Sequence, residues 1–169
     1  MASTTTKTAL RGAGRQSRDT TSGERFSLRL ESHARGAKAQ PAREQVVGMR
    51  PGDTKKHRVD VLLFADGPKQ VLVSAKYQGS RGTAEEKLCY EVLSLGKLLR
   101  EQPERFPMAV MVLGGRHAWT LRSYYLSDAF REEMLLPDNL LILTPSQYKE
   151  KLRSGVFHRA VGRRKPRAK

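Results

Sequence analysis

Polar and apolar positions divide the chain into a polar start, a patterned middle and a basic end. Residues 1–23 are rich in Ser, Thr, Gly and Arg and almost free of apolar side chains, which predicts a disordered tail. Phe26-Ser27-Leu28-Arg29-Leu30 alternates like a strand, but the same residues could open a helix running to His33, so the first element stays open. Val46-Val47 forms a short apolar pair ahead of the turn Pro51-Gly52-Asp53. Two β-rich runs follow, residues 58–64 and 70–76, separated by the turn former Asp66-Gly67-Pro68, and they predict an antiparallel hairpin. After a polar loop at 78–82, Leu88, Val92, Leu95 and Leu99 recur at helical spacing. Thr83 and Glu86 have the spacing of a capping box at the start of that helix, and Pro103 stops it. Residues 108–113 predict a buried strand ended by Gly114-Gly115, residues 123–135 a helix, and residues 139–143 a short strand. Thr144-Pro145 reads as N-cap and first turn of a last helix reaching Arg153. The expected fold class is α/β: one mixed β-sheet flanked by helices over residues 24–154, with disordered basic termini at 1–23 and 155–169. No internal repeat is visible.

Composition changes this picture in one respect, charge. Thirty-two Lys and Arg oppose 17 Asp and Glu, a net charge of +15 over 169 residues. No acid follows Glu150, and eight of the cations lie from Lys151 onward, leaving +7 for the rest. Such an excess points to a polyanionic partner, nucleic acid first and an acidic membrane surface second. Apolar runs are too short for a transmembrane span. One cysteine, Cys89, excludes an intrachain disulfide and a Cys-rich zinc site. The start has no apolar stretch of the secretory kind, so a chain that is not secreted, cytoplasmic or nucleoid-associated, is expected.

Candidate chemistry sits on the hairpin. Asp60 interrupts the first strand and Lys76 ends the second. By alternation Val59 and Val61 share one face and Asp60 the other, while Lys76 shares a face with Ser74, Leu72 and Gln78. An antiparallel hairpin can bring Asp60, Ser74, Lys76 and Gln78 to one side as a polar cluster. On spacing alone this is equally an exposed Asp60–Lys76 ion pair. Arg116, after the strand-ending Gly114-Gly115, and the tail residues Arg163, Arg164, Lys165 and Arg167 are candidates for nucleic-acid contact. His33, His57, His117 and His158 lack metal-ligand spacing, and His57 reads as a strand-edge residue.

An Asp on one strand, an acid-x-Lys on the next and a helix after it resembles the PD-(D/E)XK nuclease superfamily. Here Val59-Asp60 stands for Pro-Asp, Ser74-Ala75-Lys76 for (D/E)-x-Lys, and Lys76-Tyr77-Gln78 for the Lys-x-Gln of several branches. Ser74 replaces the second acid. In this it resembles a subset of restriction enzymes with Ser-x-Lys, in which the missing Glu comes from the following helix. Glu91 is the favoured counterpart, with Glu85 and Glu86 as alternatives. The resemblance implies a Mg²⁺-dependent (or Mn²⁺-dependent) DNA endonuclease, restriction-like or phage-encoded. Asp60, Glu91 and the Ala75 carbonyl would be metal ligands, Lys76 would act on the attacking water, and Ser74 and Gln78 would hydrogen-bond water or phosphate. A further Glu on an N-terminal helix, Glu31 or Glu44, is common in the family. One site cuts one strand, so a homodimer or homotetramer on DNA is expected, with no membrane partner. A catalytically inactive nucleic-acid-binding fold and a structure-specific Holliday-junction resolvase are the competing implications.

Overall fold

A computed structural model describes residues 21–53, 55–79, 85–115 and 119–164. The first element is a helix, α1 (Thr21–Gly36), which settles the open reading at residues 26–33. Phe26, Leu30 and Ala34, four apart, form its buried stripe, so the 3.6-residue period outweighs the accidental alternation. Residues 1–20 of the expected N-terminal tail lie outside the described residues.

Three antiparallel strands follow: β1 (Ala42–Met49), β2 (Lys56–Leu63) and β3 (Val71–Tyr77). The hairpin predicted for residues 58–76 is present, and β1 extends the sheet well beyond the Val46-Val47 pair. Helix α2 (Leu88–Glu101) then crosses over to β4 (Met108–Gly114), which runs parallel to β3. Two short helices, α3 (Arg122–Tyr125) and α4 (Asp128–Glu133), lead to β5 (Leu140–Leu143), parallel to β4. The chain continues into α5 (Pro145–Ser154) and α6 (Val156–Ala160). The result is one mixed five-stranded sheet in the order β1-β2-β3-β4-β5, with helices on both faces. Leu62, Leu72, Met111 and Leu113 pack with α2, α3 and α4 on one face. Val61, Val73, Val110 and Val112 pack with α1, α5 and α6 on the other.

Several boundaries differ from the pattern-based expectation. Helix α2 begins at Leu88, with Lys87 at the N-cap making no side-chain cap. The expected capping partner Thr83 lies outside the described residues. The helix expected at 123–135 is two helices, because the Ser127 hydroxyl accepts from Phe130 N (3.3 Å) and starts a new one there. Thr144 is the N-cap of α5, as expected, and forms a full capping box with Gln147. The basic end, separated from the domain at residue 155 by its charge, opens with α6, whose Phe157 is fully buried. Gly155 makes the corner between α5 and α6 with φ of +75°, a conformation that favours glycine.

The strict alternation expected around Asp60 also fails. Val59 packs with the α2 layer and Val61 with the α1 layer. Opposite Asp60, Glu44 takes a positive φ of 53°, and the β2–β3 ladder runs only from Leu63↔Val71 to Val61↔Val73. The hairpin therefore splays open at Asp60, which frees its carboxylate to bond the neighbouring backbone.

Candidate active site

The splayed end of the hairpin holds the candidate chemistry. Asp60 Oδ2 accepts the Ala75 N–H (2.7 Å) in place of a strand carbonyl, and the Ser74 hydroxyl lies 3.4 Å away. In a strand, the N–H and C=O of one residue leave by the same edge, so the Ala75 carbonyl also faces the Asp60 side. Ser74 is fully buried. Its hydroxyl donates to Glu91 Oε1 (2.8 Å) and accepts from Lys76 Nζ (2.8 Å). Lys76 Nζ also stands 3.5 Å from Glu91 Oε1. Ser74 thus gathers the strand Asp, the strand Lys and the helix Glu around one oxygen.

Glu91 is in the first turn of α2 and buried, pointing back over the strand ends. Of Glu85, Glu86 and Glu91 it is the one that meets Ser74 and Lys76. Glu85 instead accepts the backbone N–H groups of Thr120 and Leu121 (both 2.8 Å), and Glu86 is exposed. Two further residues hold Glu91. His57 Nε2 lies 3.3 Å from Oε1, and Arg50 Nη1 lies 3.4 Å from Oε2. A carboxylate only accepts, so His57 carries its proton on Nε2. Its Nδ1 is buried with no hydrogen-bond partner among the described residues. Neither residue was visible from spacing. His57 reads as an edge residue until Glu91 is placed above it. The one available signal was that a carboxylate beside the apolar stripe of a helix demands buried cations or donors.

These surroundings drive the two acids apart. Burial raises the Asp60 pKa, and the charge of Lys76 and the Ala75 N–H only partly oppose it. Burial also works to raise Glu91, but the His57 hydrogen bond, the charge of Lys76 and the Ser74 hydrogen bond outweigh it and hold its pKa at about 2. At neutral pH Glu91 is a fixed anion in a cationic cage, while Asp60 is a poorly solvated acid with fewer compensating partners.

The remaining candidates are dispersed. Gln78 is buried at the end of β3, its N–H donating to Gly114 O (3.2 Å). Glu31, on α1, pairs with Arg35 and with Arg43 (3.9 Å), and Glu44, on β1, pairs with Arg58 (3.8 Å). Arg163 is a brace: it bonds Gln40, pairs with Asp66 (3.5 Å) and lies over the Phe64 ring, at the far end of the hairpin from Lys76. Arg164 is exposed. Arg116, Lys165 and Arg167 lie outside the described residues. Among the described residues no three His, Cys, Asp or Glu side chains converge as a metal cluster, and no helix is long and apolar enough to cross a membrane.

A family model described as a PD-(D/E)XK nuclease superfamily domain matches residues 29–129, well over half of the chain and every residue of the cluster. No curated protein and no solved structure matches.

Proposed function

The chain belongs to the PD-(D/E)XK nuclease superfamily, and from that premise we propose that it is a Mg²⁺-dependent endodeoxyribonuclease whose second acid has moved from β3 to α2. The observation that carries this reading is the position of Glu91, bonded to the Ser74 hydroxyl that stands where the strand acid is missing.

The donor set suits a hard divalent cation. Asp60 Oδ1 makes no hydrogen bond among the described residues, and the carboxylate is largely desolvated, so a cation would relieve it. Mg²⁺ keeps several waters and needs only one or two carboxylates, which matches Asp60 and Glu91 with the Ala75 carbonyl and no larger cluster. When bound, the ion supplies Lewis acidity toward the phosphoryl oxygens and offsets charge as it develops. The chain's own groups do the rest. Lys76, about one-fifth exposed, presents its ammonium beside the carboxylates, where it orients the attacking water and stabilises anionic phosphate. Ser74 fixes the Lys76 amine and the Glu91 carboxylate relative to each other. Arg50, partly exposed and stacked near Tyr90, offers a second cation at the rim. Cutting a duplex with a site of this kind calls for two copies, so a homodimer acting on DNA completes the proposal.

The test is cleavage of supercoiled plasmid in Mg²⁺ or Mn²⁺ by the native chain and by Asp60→Ala and Lys76→Ala. Each substitution should lower the rate by about 10²-fold or more. Cleavage that persists in both variants overturns the assignment. One observation favours a second reading, an inactive nuclease fold that only binds nucleic acid. Both Glu91 oxygens are already engaged by Arg50, His57, Lys76 and Ser74. That reading predicts DNA binding in EDTA and no cleavage with either metal.

A further inference from the structure

Helix α1 presents Arg25, Arg29 and His33 four residues apart, which places them in one row along the helix. Helix α5 presents Lys149 and Arg153 in the same way and packs against α1. The two rows meet: His33 is partly buried, and its pKa is lowered by burial and then by the charges of Lys149, Arg29 and Arg153. None of Arg25, Arg29, Lys149 and Arg153 makes an ion pair among the described residues. The acids of α1 are turned elsewhere, Glu24 and Glu31 toward Arg43 of β1. Like charges at four-residue spacing repel along a helix, and here two such rows are set side by side with no ion pair to an acid among the described residues. Arg25, Arg29 and Arg153 are exposed, so the two rows are open to an external polyanion.

We propose that the α1–α5 face is a second nucleic-acid surface, a phosphate-binding track for duplex lying outside the cleavage site. It rests on the nuclease reading for the identity of the polyanion. Its placement supports that choice. The track begins at the same end of β3 as the site, since Phe26, next to Arg25, packs its ring on Tyr77 (5.6 Å), the residue after Lys76. From Arg25 to His33 it continues for about 12 Å at the helical rise, on the sheet face opposite α2. An anionic membrane is the less suitable partner. Leu28 is the one large apolar side chain exposed on either helix, whereas interfacial helices need an apolar face.

The test uses the full chain and a fluorescent DNA duplex in EDTA, so that cleavage plays no part. Anisotropy is followed as a function of salt. Arg29→Gln with Arg153→Gln should weaken binding at least roughly tenfold near 0.1 M salt and lower the slope of log K against log salt by about 2, as loss of two phosphate contacts requires. The control, Lys69→Gln with Arg100→Gln, removes the same charge from other surfaces and should change neither by much. Circular dichroism should match the native chain in both pairs, and the unfolding temperature should not fall in either, the track pair having lost repelling charges. Equal losses in the two pairs would reduce the track to bulk charge and overturn the proposal. So would unchanged DNA binding in the track variant combined with lost cosedimentation on phosphatidylserine vesicles, which assigns the face to membranes. The outcomes separate from the nuclease reading. A native chain that never cuts but shows the track effect keeps the surface and loses the nuclease, and a chain that cuts plasmid with an unaltered track variant does the reverse.

Discussion

Asp60 and Glu91 contact the same hydroxyl, yet folding treats them in opposite ways. Glu91 has a folded pKa of about 2 against an ordinary 4.5, so its ionisation stabilises the fold. That contribution is fully present above pH 4.5 and is lost as pH falls toward 2; by linkage it is of the order of 3 kcal/mol. Asp60 has a raised pKa, so its ionised form costs stability at neutral pH, and the cost disappears as pH falls through its folded pKa. Urea denaturation at pH 7 should therefore show Glu91→Gln destabilised by about 3 kcal/mol, because Arg50 and Lys76 lose their shared counter-ion. Asp60→Asn should be neutral or stabilising, since Asn can still accept the Ala75 N–H. A destabilised Asp60→Asn would mean that the carboxylate is part of the fold rather than a group held ready for a cation. Adding Mg²⁺ should raise the unfolding temperature of the native chain and not that of Asp60→Asn. This readout needs no activity.

Among the secondary elements, the hairpin, the buried strand β4 and the capped start of α5 were all legible, because each is written in local pattern. Asp66-Gly67-Pro68 turns the chain between two β-rich runs, and Thr144-Pro145 is a local helix-start signal that Gln147 completes as a capping box. Asp60 and Lys76 could be picked out for the same reason, as charges inside apolar runs. What could not be read depends on contacts between distant elements. Val59 and Val61 fall in different layers because the strand splays at Asp60, and no period encodes that. His57 and Arg50 matter only once α2 lays Glu91 over them. Helix α6 was hidden by charge: Val156, Phe157 and Val161 are apolar anchors in a segment whose average is basic. Phe157 sits against Tyr148 (ring centroids 5.7 Å) and is fully buried. Phe157→Ala should then cost about 3–5 kcal/mol in equilibrium unfolding, as for a core aromatic. A cost below about 0.5 kcal/mol, the usual surface value, would return α6 to the tail.

For the whole molecule, charge is divided among parts with different duties. The proposed site uses two acids inside a basic chain, the α1–α5 face presents four cations with no ion pair among the described residues, and the end beyond Arg164 adds Lys165, Arg167 and Lys169. Arg163 is already spent on Asp66 and Gln40, so the terminal contribution should come from residues after it. Phosphate contacts made by separate regions add in the salt dependence, each neutralised phosphate contributing about 0.9 to the slope. Removing residues 165–169 should therefore lower the slope by up to about 3 with no change in unfolding temperature. Combining the truncation with Arg29→Gln and Arg153→Gln should lower it by the sum of the separate effects. Anisotropy titrations of the four proteins between 0.05 and 0.3 M salt, about the range in which slopes of this size are resolved, measure this directly. A combined effect no larger than the truncation alone would mean that tail and track contact the same phosphates, and the track would then be an extension of the tail's footprint rather than a surface of its own.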